Sequence, residues 1–143
     1  MRIVLDTNLV MSALLWRGTP YRLLDAIRQR SNTQLYSSAT LLEELADVLT
    51  RPSATKRLAL IEKTAAMALA DYIEVIELVT PTTVPRVVPG DIDDDQVIAA
   101  AVAAQADLIV SGDRQHLLPL GSHAGIAIVE VTEALRRIEQ IQA

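Results

Sequence analysis

The chain has 143 residues, half of them hydrophobic and 22% charged, the balance of one globular domain rather than of a disordered segment or two full domains. A net charge of −5 argues against a module whose main work is to grip duplex phosphates, because that work needs a basic surface. The absence of cysteine excludes disulfides and thiolate metal sites and accords with a cytoplasmic protein.

Aromatic residues make up only 3%, with no Phe, so the expected core is built from Leu, Ile, Val and Ala. Ile3-Val4-Leu5 forms a short run apolar on both faces, the mark of a strand inside a parallel sheet. It ends on Asp6, where open α/β sheets place their ligands, beyond the carboxyl ends of the strands. No long apolar leader precedes it, and the stretch from Leu9 to Trp16 is too short to cross a bilayer. A soluble, unexported chain is expected.

Leu9 to Leu15 reads as a helix with Asn8 as its N-cap. Gly18-Thr19-Pro20 marks a turn, and Tyr21 to Arg30 carries Leu23, Leu24 and Ile27 at helical spacing. Gln34 to Ser37 reads as a second strand. From Ser38 to Thr50 an amphipathic helix places Leu41, Leu42, Leu45, Val48 and Leu49 on one stripe at about 100° per residue. Glu44 flanks that stripe while Glu43 points away from it. Thr40-Leu41-Leu42-Glu43 matches a capping box, which gives Glu43 a structural task.

Ala54 to Tyr72 reads as one or two helices, and Ile73 to Val79 as a third strand. Thr80 to Gly90, with three prolines, is an irregular loop within the domain. The acidic run 91–95 leads into a helix over Gln96 to Gln105, followed by a buried strand from Asp107 to Ser111 that ends in Gly112-Asp113. A short helix near Gln115 to Leu118, a fifth strand from Ile126 to Val131, and a last helix capped by Thr132 complete the chain. Alternating strands and helices predict a mostly parallel five-stranded sheet covered on both sides, in a single α/β domain spanning 1–143.

Four carboxylates share one position in this scheme. Asp6 and Asp113 follow buried strands, Glu44 sits early in the helix leaving the second strand, and Asp95 lies at the start of the helix feeding the fourth. Each has an ordinary structural explanation as well: strand terminator, boundary charge, helix-start acid favoured by the helix dipole, or turn residue. Their joint position at one sheet edge is what points to chemistry. Carboxylates ~4–6 Å apart repel by a few kcal/mol at an effective dielectric near ~20. Mg²⁺ or Mn²⁺ relieves that repulsion and favours oxygen ligands. His116 and His123 stand isolated in the sequence and suggest no ligand set.

The blocks Ile3-Val4-Leu5-Asp6-Thr7-Asn8, Leu42-Glu43-Glu44-Leu45, Asp93-Asp94-Asp95-Gln96-Val97-Ile98-Ala99-Ala100-Ala101 and Leu108-Ile109-Val110-Ser111-Gly112-Asp113 together resemble PIN-domain ribonucleases. The likeness is nearest to the PIN proteins related to VapC toxins, with matching block order nearly end to end. The resemblance implies a three-layer α/β/α fold and a Mg²⁺- or Mn²⁺-dependent endoribonuclease, the toxin of a toxin–antitoxin pair, forming a homodimer and held by a cognate antitoxin. It maps the metal-binding and catalytic acids onto Asp6, Glu44, Asp95 and Asp113, with Asp94 the alternative third acid, since both flank the apolar stripe. Asn8 and Ser111 match supporting polar positions; the family more often has Thr at the latter. Arg114, Arg86 and Arg17 are candidate substrate contacts, each equally readable as a solvated surface charge.

Other uses of clustered acids fit less well. A receiver-type phosphorylation switch needs a Lys near the last strand, and the only lysines are Lys56 and Lys63. A haloacid-dehalogenase-like phosphatase needs an acid two residues after Asp6, where Asn8 stands. A catalytically silent or narrow-substrate binding module of the same fold is the remaining alternative.

Overall fold

Ile3, Val4 and Leu5 are almost wholly excluded from solvent because β1 (Arg2–Leu5) lies inside a sheet with a strand on either side. The computed structural model of the chain describes residues 1–86 and 92–141, giving backbone alone for 92 and 93. After β1 come α1 (Thr7–Leu15), α2 (Thr19–Arg28), β2 (Gln34–Ser37), α3 (Ala39–Leu49), α4 (Pro52–Leu60), α5 (Ala65–Ile73) and β3 (Ile76–Leu78). The second half holds α6 (Ile92–Ala104), β4 (Leu108–Val110), α7 (Leu117–Leu120), β5 (Ser122–His123), β6 (Ile126–Val129) and α8 (Val131–Glu139).

The strands run in the order β3-β2-β1-β4-β6-β5. All neighbours pair in parallel except β5 and β6. The sheet thus has six strands among the described residues where the hydrophobic pattern gave five. The extra strand, β5, is two residues long, too short to show any period.

Alternation along the strands divides the core in two. Ile3 and Leu5 of β1, with Leu108 and Val110 of β4, pack into one cluster with residues of α1 to α5 and α8. Val4 and Ile109 face the opposite way, into a cluster with Val97, Ile98, Ala100 and Ala101 of α6 and Leu117 of α7. Side chains two apart share a sheet face, so the expected three-layer α/β/α arrangement is present. No helix among the described residues is long and apolar enough to cross a membrane.

The helix starts depart from the sequence reading in ways that matter for the site. The N-cap residue of α1 is Asp6, not Asn8. Asn8 therefore sits in the first turn. The N-cap of α3 is Ser38, whose Oγ accepts from the Leu41 N–H at 3.2 Å; Thr40 lies inside the helix, and Glu43 is exposed. The acidic run does not precede its helix, because α6 already begins at Ile92. The N-cap of α8 is Glu130, and Thr132 is within the first turn.

From β1 the chain builds outward to β2 and β3, then returns to lay β4 on the other side of β1. Beyond the carboxyl ends of β1 and β4 the connections diverge, leaving the crevice in which open α/β sheets bind ligands. Asp6 and the Ser111-Gly112-Asp113 segment both emerge there.

Candidate metal centre

Pairing of β1 with β4 carries on one residue past the strands, since the Asp6 N–H donates to the Val110 carbonyl at 3.0 Å. That bond sets Asp6 beside Ser111. The Ser111 hydroxyl, fully buried, donates to Asp6 Oδ2 at 2.8 Å and accepts from the Asp113 N–H at 2.9 Å. One hydroxyl thus ties the loop after β4 to the carboxylate after β1.

Asp113 faces the other way along its loop. Its Oδ1 accepts from the N–H groups of Gln115 at 2.9 Å and His116 at 3.1 Å, an Asx-type turn that leads into α7. Its Oδ2 lies 3.5 Å from His116 Nδ1, and Asp94 Oδ2 lies 3.7 Å from the same nitrogen. Donor atoms of Asp94, Asp113 and His116 all fall within 4.8 Å of one another.

A cleft of about 370 Å³ joins Asp94 and Asp113 to the rest of the acidic set, with His116 beside it rather than in its lining. Asp6, Glu44, Asp94 and Asp113 line it together, with Asn8, Leu9 and Ser12 of α1 as one wall and Gly112 at the loop. Glu44 arrives because the leucine stripe of α3 is buried and Glu44 borders it, half-buried. Of the two candidate acids at the start of α6, Asp94 (6% exposed) lines the cleft; Asp95 (5% exposed) is equally buried but is not among its lining residues. Three of the four expected acids meet here, and the alternative Asp94 stands where Asp95 was expected.

The candidate substrate arginines stand elsewhere. Arg17 lies over the Tyr21 ring at 4.2 Å, at the far end of α1, in a separate and larger cavity of about 510 Å³ with Trp16 and Arg57. That larger cavity contains none of the motif acids, so size is no guide to the chemistry here. Arg114 is exposed and faces Glu130 at 3.4 Å, and Arg86 is exposed in the loop after β3. None of the three lines the acidic cleft.

The electrostatics show what the cluster costs. Burial pushes the Asp6 carboxyl above its ordinary value, and the Asp113 charge adds to that rise; hydrogen bonds from Ser111 and the N–H groups of Asn8 and Thr7 oppose it. Burial also raises the Asp113 carboxyl, but hydrogen bonding with Asp94, the Gln115 and His116 N–H groups and the nearby His116 ring together hold it below the ordinary value. One acid is thus pushed toward the neutral form while its neighbour is kept ionised. A divalent cation fits such a site: its donors are carboxylate oxygens already close together, and its charge offsets the repulsion that raises Asp6.

His116 is the site residue that sequence reasoning passed over. Asp113-x-x-His116 places the two side chains one turn apart at a helix start, a spacing that was visible. Asp94, the other partner of the ring, comes from a distant helix, and only the fold brings it there.

A family model for the PIN domain matches residues 2–115. No curated protein matches the chain. Among solved structures, a chain in the crystal structure of VapBC2 from Rickettsia felis bound to a DNA fragment from their promoter is similar, with a TM-score of 0.61 and 12% identity. The match covers 91% of this chain and 98% of that one. At such identity the likeness is one of fold.

Proposed function

The chain belongs to the PIN-domain family of nucleases, and on that premise we propose that it is a divalent-metal-dependent endoribonuclease acting from the cleft of Asp6, Glu44, Asp94 and Asp113. The observation that carries this reading is the convergence of those four carboxylates at the crevice between β1 and β4. Asp94 takes the third place in preference to Asp95 because it faces the cleft.

These four residues would hold Mg²⁺ or Mn²⁺. Bound there, a divalent ion supplies Lewis-acid polarisation of the phosphate and relief of the charge that builds on the attacking and leaving oxygens. The protein's own part is positioning. Ser111 fixes the rotamer of Asp6 by a short hydrogen bond and at the same time anchors the Asp113 backbone. The backbone donors of Gln115 and His116 fix one oxygen of Asp113, leaving Oδ2 turned toward Asp94 and His116. Asn8 and Ser12 offer polar groups on the α1 wall, suited to hydrogen bonding with a phosphate or ribose oxygen. The acidic lining repels a phosphodiester on its own, so substrate would enter with the cation rather than before it.

The VapC-like sequence blocks and the likeness of fold to a VapBC2 chain support a role as the toxin of a toxin–antitoxin pair, a cytoplasmic single-domain homodimer restrained by its antitoxin. Purified protein is expected to cut RNA only with Mg²⁺ or Mn²⁺ present, and Asp6→Asn and Asp113→Asn to abolish cutting. Intact RNA after incubation of the wild type with either ion, or cutting by both variants at the wild-type rate, would refute the nuclease reading. Induced expression beside Asp6→Asn, with RNA ends mapped across the transcriptome, tests the toxin role; growth arrest confined to the wild type is the expected result.

A further inference from the structure

We infer that His116 contributes a nitrogen ligand, through Nδ1, to a cation held jointly with Asp94 and Asp113, and that this makes the site prefer Mn²⁺ over Mg²⁺. The inference rests on the cleft being a metal site and adds the identity of one ligand and the class of ion it selects.

Donor atoms of Asp94, Asp113 and His116 gather closely enough to share one ion, all within 4.8 Å of one another. Nδ1 stands 3.5 Å from Asp113 Oδ2 and 3.7 Å from Asp94 Oδ2, nearly equidistant from the two. Two ligands held about 2.1 Å from one ion lie about 3.0–4.2 Å apart, depending on their angle. Both separations fall in that interval. The three groups therefore turn donor atoms toward one common region, where a cation fits.

The ring is also placed independently of its own interactions. The His116 N–H donates to Asp113 Oδ1, so the turn that opens α7 fixes the backbone from which the imidazole projects. At the other side, Asp94 is buried in the first turns of α6. Imidazole nitrogen suits transition ions, whereas Mg²⁺ keeps to oxygen ligands and sheds its water reluctantly. A site of carboxylates alone would accept both ions on closer terms.

Pulsed electron paramagnetic resonance of the Mn²⁺-loaded protein reads the ligand directly. The wild type should show ¹⁴N coupling from one imidazole; His116→Gln should lose it, and His123→Gln should keep it. His116→Gln retains the backbone N–H that serves Asp113, and its side chain is 40% exposed, so folding should be spared; circular dichroism checks this. By calorimetry, His116→Gln should weaken Mn²⁺ binding at least about tenfold, the lower end of the loss seen on removing groups that support metal ligands, and weaken Mg²⁺ binding much less. Mn²⁺ binding that depends on Asp6 and Asp113 but lacks nitrogen coupling in the wild type would overturn the inference and leave the nuclease reading standing. Absence of any Mn²⁺ binding would remove both.

Discussion

Ser111 Oγ lies 2.8 Å from Asp6 Oδ2, a hydrogen bond between residues 105 positions apart that joins the ends of two neighbouring parallel strands. The same hydroxyl accepts from the Asp113 N–H, so its removal takes a donor from the buried Asp6 carboxylate and an acceptor from a part-buried N–H together. Ser111→Ala should destabilise the protein by about 1–3 kcal/mol, the range for leaving buried polar groups unsatisfied, and weaken Mn²⁺ binding. Ser111→Thr keeps the hydroxyl but adds a methyl group where nothing is exposed. It should preserve metal binding while costing about 1–3 kcal/mol in packing. Urea unfolding and calorimetric titration separate the two outcomes; an alanine variant with wild-type metal affinity would count against this role for the hydroxyl.

The adjacent acids of α6 should behave differently. Asp94→Asn removes a cleft carboxylate and should abolish Mn²⁺-dependent activity. Asp95→Asn is expected to retain metal binding within about threefold, a change of roughly 0.6 kcal/mol, and to act on stability instead. Equal loss of metal binding in both variants would show that the helix is rotated from the orientation described.

Asp6 makes the metal-free protein sensitive to pH. Its folded-state carboxyl titrates above the ordinary value, so the folded chain binds that proton more tightly than the unfolded chain. The corresponding stability is fully present below the unfolded value of 3.8 and is lost as pH rises through the folded one. At neutral pH the ionised, buried carboxylate is therefore a burden on the apo fold. Asp6→Asn, neutral and still able to accept from Ser111, should raise the melting temperature of the metal-free protein at pH 7 while removing metal-dependent activity. A fall in apo melting temperature at that pH would contradict the sign.

Metal should reverse that burden. At a free ion concentration of 100 times Kd, binding to the folded state alone stabilises by about 2.7 kcal/mol, equivalent to roughly 5–10 °C in a chain of this size. Chelation of the wild type should lower the melting temperature by that amount, and Asp6→Asn should show no such shift.

Ser38 offers a test away from the cleft floor. Ser38→Ala removes the cap of α3, the helix that carries Glu44, and should cost about 0.5–2 kcal/mol. Thr40→Ala should be near neutral, since Thr40 is exposed within the helix. The reverse order in a denaturation series would restore the capping box expected from Thr40 and Glu43.

Where local pattern and tertiary placement agree, the sequence was legible. The aliphatic runs of β1 and β4 and the stripe of α3 announced their elements, and their ends delivered Asp6, Asp113 and Glu44 to one edge. Local pattern was silent where burial surrounds an element. In α6, Val97 to Ala101 are all buried, so no polar face reveals how the helix is turned, and about 100° separates Asp94 from Asp95. Cap assignment failed for a related reason. Ser38 and Thr40 are both competent caps, and only the point at which β2 releases the chain selects between them. His116 was passed over because its spacing from Asp113 alone makes no ligand set and its second partner, Asp94, is remote in sequence.

The strand order also sets when the site can exist. Asp6 is synthesised well before Asp94, Ser111 and Asp113, and β1 needs β4 beside it to hold them together. Contacts of such long sequence separation form late in folding. A growing chain therefore carries the first carboxylate without its companions, and the machinery that makes the protein meets no completed cleft until the segment after β4 has been made.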